Sequence, residues 1–278
     1  MKKSLLVIGA VVILGIIAMV AWVLRPPAEA TAPIEAIPLA TATSAETTTE
    51  TDPVEESGSY PAPTEVVSSY PAPDEAAVQA DGQESYPAPE EAGSTEGEPT
   101  GSVIFTILQA ESEARFTLNE ELRGAPATVV GLTDQVAGEM AVDFSNPANS
   151  QLGVITINAR TLATDNNNRN RMIRNEILDT AAYEFITFTP AAITGLPESI
   201  AVGDTVTLQI TGDLTIRDIT QQVTFDATVT VVSTERLEGL ASVTVTRTAY
   251  NLTIPSVPSV ANVTDEVLLE LEFVAAPN

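Results

Sequence analysis

From residue 114 onward the chain alternates. In VTFDATVTVV (223–232), Val223, Phe225, Ala227, Val229 and Val231 fall on one side, and Thr224, Asp226, Thr228 and Thr230 on the other. A repeat of two sends successive side chains to opposite faces of a strand, so this strand has one apolar face and one wet face. The pattern recurs. ARFTLNEEL (114–122) groups Ala114, Phe116 and Leu118, and GEMAVDF (138–144) groups Met140, Val142 and Phe144. LGVITINARTL (152–162) sets Ile155 and Ile157 against Thr156 and Asn158. FITFTPAAITGL (185–196) carries Phe185 and Phe188, and DTVTLQITGDLTI (204–216) aligns Val206, Leu208, Ile210, Leu214 and Ile216 with a break near Gly212. LEGLASVTVTRTAYNLTI (237–254) includes Val245, and in EVLLELEFVA (266–275) Val267, Leu269, Leu271 and Phe273 oppose Glu270 and Glu272.

These runs predict eight strands with short connections. NNRNRMIRNEILD (167–179) is the one helical pattern, with Met172, Ile173, Ile177 and Leu178 at helix spacing. The expected fold is all-β: an eight-stranded antiparallel barrel with one accessory helix. Closure is favoured over an open sandwich because it removes exposed strand edges. A barrel of about eight strands holds either its own side chains or one small apolar ligand. Arg217-Asp218 marks a turn at a polar barrel end.

The first hundred residues read differently. Residues 4–24, SLLVIGAVVILGIIAMVAWVL, carry no charge and follow Lys2 and Lys3. At 1.5 Å per residue the run spans about 30 Å, enough to cross a bilayer. The two lysines keep the N-terminus in the cytoplasm, so 1–25 is expected to be a single-pass anchor with the rest of the chain on the extracytoplasmic side. The alternative is a cleaved signal peptide, with AEA at 28–30 as the cleavage site and a secreted product. Residues 26–100 hold sixteen Asp and Glu with no Lys or Arg, and repeat SYPAP at 59–63, 69–73 and 85–89. Such a segment buries too little apolar surface to offset its ordering entropy and is expected to be a disordered, extended linker. Residues 101–278 form the folded domain.

Composition narrows the chemistry. The net charge of -26 argues against nucleic acid as a partner and against docking on anionic lipid head groups. With no Cys and no His, thiol nucleophiles, Ser-His-Asp triads and the usual zinc ligands are excluded. The only lysines are Lys2 and Lys3, outside the domain. Paired acids such as Glu120-Glu121 are strand neighbours that point to opposite faces, so they read as solvated surface and not as a general acid/base pair. No catalytic or metal site is expected.

The order of several motifs resembles the YceI-like family. These are VAGEMAVD (136–143), TLATDNNNRN (161–170), IRNEILD (173–179), FITF (185–188), GDLTIRDITQQV (212–223) and TRTAYNLTIP (246–255). The resemblance covers roughly 110–275, nearly all of the folded part. It implies a lipocalin-like barrel, exported from the cytoplasm, whose apolar interior binds polyisoprenoid chains or isoprenoid quinones. The sequence departs from the family pattern at Asn170, Met172 and Asn251.

The inward apolar set is Phe116, Leu118, Val142, Phe144, Ile155 and Ile157 from the first strands and Phe185, Phe188, Leu208 and Ile210 from the middle ones. Val223, Phe225, Val229, Val245, Leu269, Leu271 and Phe273 complete it. Alone it describes any solid core; with the resemblance it describes a ligand cavity. Arg169, Arg174 and Arg217 are the candidates for a polar mouth, or else for pinning the helix to the barrel end through carboxylates such as Asp165, Asp179 or Asp218. The expected function is a membrane-tethered carrier or store for a hydrophobic isoprenoid lipid or quinone, with no other cofactor. The alternative is a ligand-free interaction module displayed on a stalk. Whether the domain forms a homodimer stays open.

Overall fold

The computed structural model describes residues 28–31, 33–39 and 101–277. The expected membrane-spanning run and most of the expected linker lie outside the described residues, among which no helix is long and apolar enough to cross a membrane. Thirteen strands form one antiparallel sheet. They are β1 (Ser102–Ile107), β2 (Glu113–Leu122), β3 (Ala125–Thr133), β4 (Val136–Ala137), β5 (Glu139–Asp143), β6 (Gln151–Leu152) and β7 (Ile155–Asn158). After the helical segment come β8 (Phe185–Thr194), β9 (Thr205–Ile216), β10 (Ile219–Ser233), β11 (Arg236–Thr246), β12 (Val260–Ala261) and β13 (Glu266–Pro277).

The expected count of eight is therefore replaced by thirteen, for local reasons. β1 and β3 carry too little alternation to stand out, and a 3-10 turn at Gln109–Glu111 separates β1 from β2. Buried Ser112 spans that break, its hydroxyl accepting from the Val274 N–H at 3.1 Å. Only Gly138 separates β4 from β5, and only Gly153 and Val154 separate β6 from β7. Hydrogen bonding runs β4-β7-β8-β9-β10-β11-β13-β1-β5-β6, while β2 joins β13 to β3. Both ends of that path belong to the same two chain segments, so the sheet curls until its ends meet.

The β9–β10 hairpin shows how register is fixed. Its outward threonines face one another as Thr205–Thr230, Thr211–Thr224 and Thr215–Thr220, each hydroxyl pair at 2.9 Å. Such cross-strand pairs contribute about 0.2–1 kcal/mol each. A slip by one residue would turn Phe225 and Val229 to solvent. Gly212 does not break β9, which is continuous in one phase from Thr205 to Ile216. Instead, a Cβ there would stand 2.7 Å from the Phe188 ring. Gly131 beneath Phe116 and Gly239 beneath Phe273 make the same accommodation on facing strands.

Among the described residues there is one α-helix, α1 (Asn167–Met172), which continues as a π turn over Ile173–Ile177. The Asn166 side chain caps it by accepting from the Asn168 and Arg169 N–H groups. Buried Asn170 closes the preceding loop, its Oδ1 accepting from the Thr164 N–H (2.7 Å) and hydroxyl (2.6 Å) and its amide donating back to the Thr164 carbonyl. An aspartate could supply the two acceptances but not the donation.

Candidate functional site

Two cavities lie inside the curled sheet. The smaller, of about 220 Å³, is walled by apolar side chains that include Ile155, Phe188, Leu208, Phe225, Ala227 and Leu271. The larger, of about 510 Å³, lies under α1, the β2–β3 hairpin and the 252–263 segment, against Leu118, Met172, Ile173, Leu252 and Val267. Phe116, Leu162, Ile186, Ile216 and Leu269 line both, so the chambers share a wall.

The two interiors are built differently. In the smaller, Phe188 meets Phe225 edge to face at 5.0 Å between ring centroids. Aromatic pairs of this kind add about 0.5–1.5 kcal/mol beyond their buried area. The larger ends in polar groups. Glu120, with its side chain 7% exposed, accepts from Arg169 Nη2 at 3.1 Å. Arg169 Nη1 donates to Asp165, which is 85% exposed, at 2.6 Å. Arg247 donates to the Thr264 and Leu252 carbonyls and lies 3.8 Å from Asp265. Two bonds from Thr248, with a smaller contribution from Arg247, hold the Asp265 carboxyl below its usual range against desolvation. Burial pushes the Tyr250 phenol up to about 12, and its hydroxyl has no partner among the described residues.

Fourteen of the seventeen expected apolar residues line one chamber or both. Phe144 and Val223 pack against the core without lining either, Phe144 lying edge-on to Phe105 at 6.2 Å. Phe185 is a correction: it is 38% exposed. Residues three apart in a strand face opposite ways, so Phe185 and Phe188 cannot both point inward. Ile186 and Phe188 do; a bulge between Pro190 and Ala192 then shifts the phase and brings Ile193 inside.

Only Arg169 of the three arginines lines a chamber. Arg174 is a correction: it donates to the Asn170 and Arg160 carbonyls, away from both chambers. So is Arg217, which sits at φ +59 in its turn, donates to the Ile177 carbonyl and lies 5.6 Å over the Tyr183 ring. Glu120 reverses a further expectation, being buried and not solvated. The signal was present, since Glu120 shares the parity of Phe116 and Leu118 and belongs on the inward face.

A curled antiparallel sheet around an apolar interior, with a helix at one polar end, defines a lipocalin-like barrel. The chain belongs to the YceI-like domain family, matched over residues 105–275. Its fold resembles that of a polyisoprenoid binding domain from Saccharophagus degradans implicated in plant cell wall breakdown (TM-score 0.51, 14% identity, covering 63% of this chain and 99% of that one). Matches also include BcnA of Burkholderia cenocepacia (TM-score 0.48, 21% identity, 61% and 99% covered). The YceI protein of Campylobacter jejuni is a third (TM-score 0.42, 20% identity, 51% and 81% covered). No curated protein matches the sequence.

Proposed function

We propose that this protein is a membrane-tethered, extracytoplasmic binding protein for a hydrophobic isoprenoid-type lipid or quinone, acting as a carrier or store and not as an enzyme. The observation that carries this reading is the apolar interior, where chambers of about 220 and 510 Å³ share one wall. Together they fall within the roughly 300–1,000 Å³ of small-molecule sites. Each methylene buried there contributes about 0.8 kcal/mol, so a long hydrocarbon chain binds without any special contact. The polar rim supports a neutral head group, because Arg169 is already matched by Glu120 and Asp165. The solved Saccharophagus degradans domain, described as polyisoprenoid binding, supports the same ligand class. The apolar run 4–24 supports the tether.

Native mass spectrometry of the full chain purified from an exporting bacterial host, followed by solvent extraction, tests this. A stoichiometric isoprenoid or quinone adduct is the expected result. A chain that is adduct-free and takes up no added quinone would sink the carrier reading.

A further inference from the structure

Residues 28–31 and 33–39 run along the outside of the domain. The Glu29 carbonyl accepts from Arg160 Nη1 at 3.2 Å. Thr31 donates its N–H and its hydroxyl to Glu184 Oε1, both at 2.8 Å. The Ile34 carbonyl accepts from Gln109 Nε2, and its side chain is buried. The Leu39 N–H donates to Glu139 Oε2 at 2.8 Å, and its side chain lies where a Cβ on Gly153 would come within 3.3 Å.

The receiving surface is built for such a segment. Asn158 faces away from the chamber lined by Ile155 and Ile157, yet it has no exposure, and its amide donates to Gln135 and Glu184. Arg160 and Glu184 form an ion pair at 2.7 Å with side chains 14% and 10% exposed. Glu139 is also buried. Carboxylates buried on an outer wall are costly unless hydrogen-bonded, and each of these two accepts an N–H from the segment. The contacts cross the region where β4 gives way to β5 and β6 to β7, the interrupted part of the wall.

We infer that residues 28–31 and 33–39 are a strap that fixes the domain beside the exit of the chain from the bilayer. The inference rests on the reading of 4–24 as an uncleaved anchor. Three residues, Arg25 to Pro27, lie between Leu24 and Ala28, which makes four steps along the chain. They span at most about 14 Å when fully extended. With the strap seated, the Arg160–Glu184 side of the domain is held within that reach. That position suits exchange of a hydrophobic ligand with the bilayer.

The test uses the full chain in lipid vesicles, with hydrogen exchange read at single amides. The Thr31 and Leu39 amides are expected to exchange at least about tenfold more slowly than the same amides in the unfolded chain. A dye on A182C is expected to transfer energy to acceptor-labelled head groups. Ile34→Asp is expected to abolish both effects while the domain still unfolds cooperatively, and a chain with 28–39 scrambled should behave alike. Thr31 and Leu39 amides as fast as free chain would overturn the strap whatever the anchor does. Slow amides with a remote dye, on a chain that floats with the vesicles, would overturn the held-close arrangement. A chain that fails to float would overturn that arrangement too, and would place the fault with the anchor reading.

Discussion

The two chambers are enclosed by opposite means. The smaller is sealed by packing, with phenylalanine rings seated over glycines on neighbouring strands and a T-shaped Phe188–Phe225 pair. The larger is closed by α1, a hairpin and connecting segments, held by charge pairs such as Glu120–Arg169. Strands supply regular apolar walls, while irregular backbone brings polar atoms with it. The polar end therefore sits where the sheet gives way to helix and loop. A ligand that is apolar along its length and polar at one end has a single sensible orientation in such a vessel.

The largest expected effect comes from the packed side. Phe188→Ala should cost about 3–5 kcal/mol in chemical denaturation, because a buried aromatic leaves a cavity its neighbours only partly fill. Glu120→Ala strikes the charged side and strands Arg169 with the exposed Asp165 alone. A loss of about 2–3 kcal/mol is expected, below the roughly 3–5 of a fully buried pair because Arg169 keeps some solvent. A double-mutant cycle with Arg169→Ala should recover most of that as coupling, and additive losses would show that the pair does not hold this end.

Ala227→Val would fill part of the smaller chamber and leave the larger intact. Displacing about two methylenes at roughly 0.8 kcal/mol each should weaken binding of a long isoprenoid about tenfold and spare a short one. Equal loss for both lengths would mean that the chambers do not act in series.

Tyr250→Phe should be neutral or stabilising by up to about 1 kcal/mol, since the buried hydroxyl has no partner among the described residues. Its phenol is raised from 10.0 to about 12 in the folded protein. The neutral form is therefore favoured by folding, and this contribution is complete below pH 10 and lost as pH rises towards 12. The alkaline decline in stability should flatten in the variant. Smallest of all, Asp165→Ala should change stability by under about 0.5 kcal/mol, as befits an exposed pair.

Alternation made most of the wall legible. Residues such as Leu208, Ile210, Phe225 and Val229 sit in regular strands, where period and facing agree. It failed where regularity failed. The bulge after Pro190 reverses the phase of β8, and the misplaced Phe185 came from grouping two residues of opposite parity. β1 went unseen, although Phe105 and Ile107 are among the most buried side chains. The polar end was harder for another reason: side-chain hydrogen bonding has no period. Nothing in the spacing of Arg174 or Arg217 says that their partners are backbone carbonyls. Glu120 was the exception, an inward carboxylate readable from parity alone.

The pairing order also sets a timetable for assembly. From β8 to β11 each strand pairs with the next along the chain, so those hairpins form from local contacts. β13 instead joins β11 to β1 and β2, with Phe105 opposite Pro277 and Phe116 opposite Leu269. Contacts that distant carry a large loop-closure cost and come late in folding. A chain emerging N-terminus first therefore waits with its trough open, and Glu266–Pro277 acts as the closing stave.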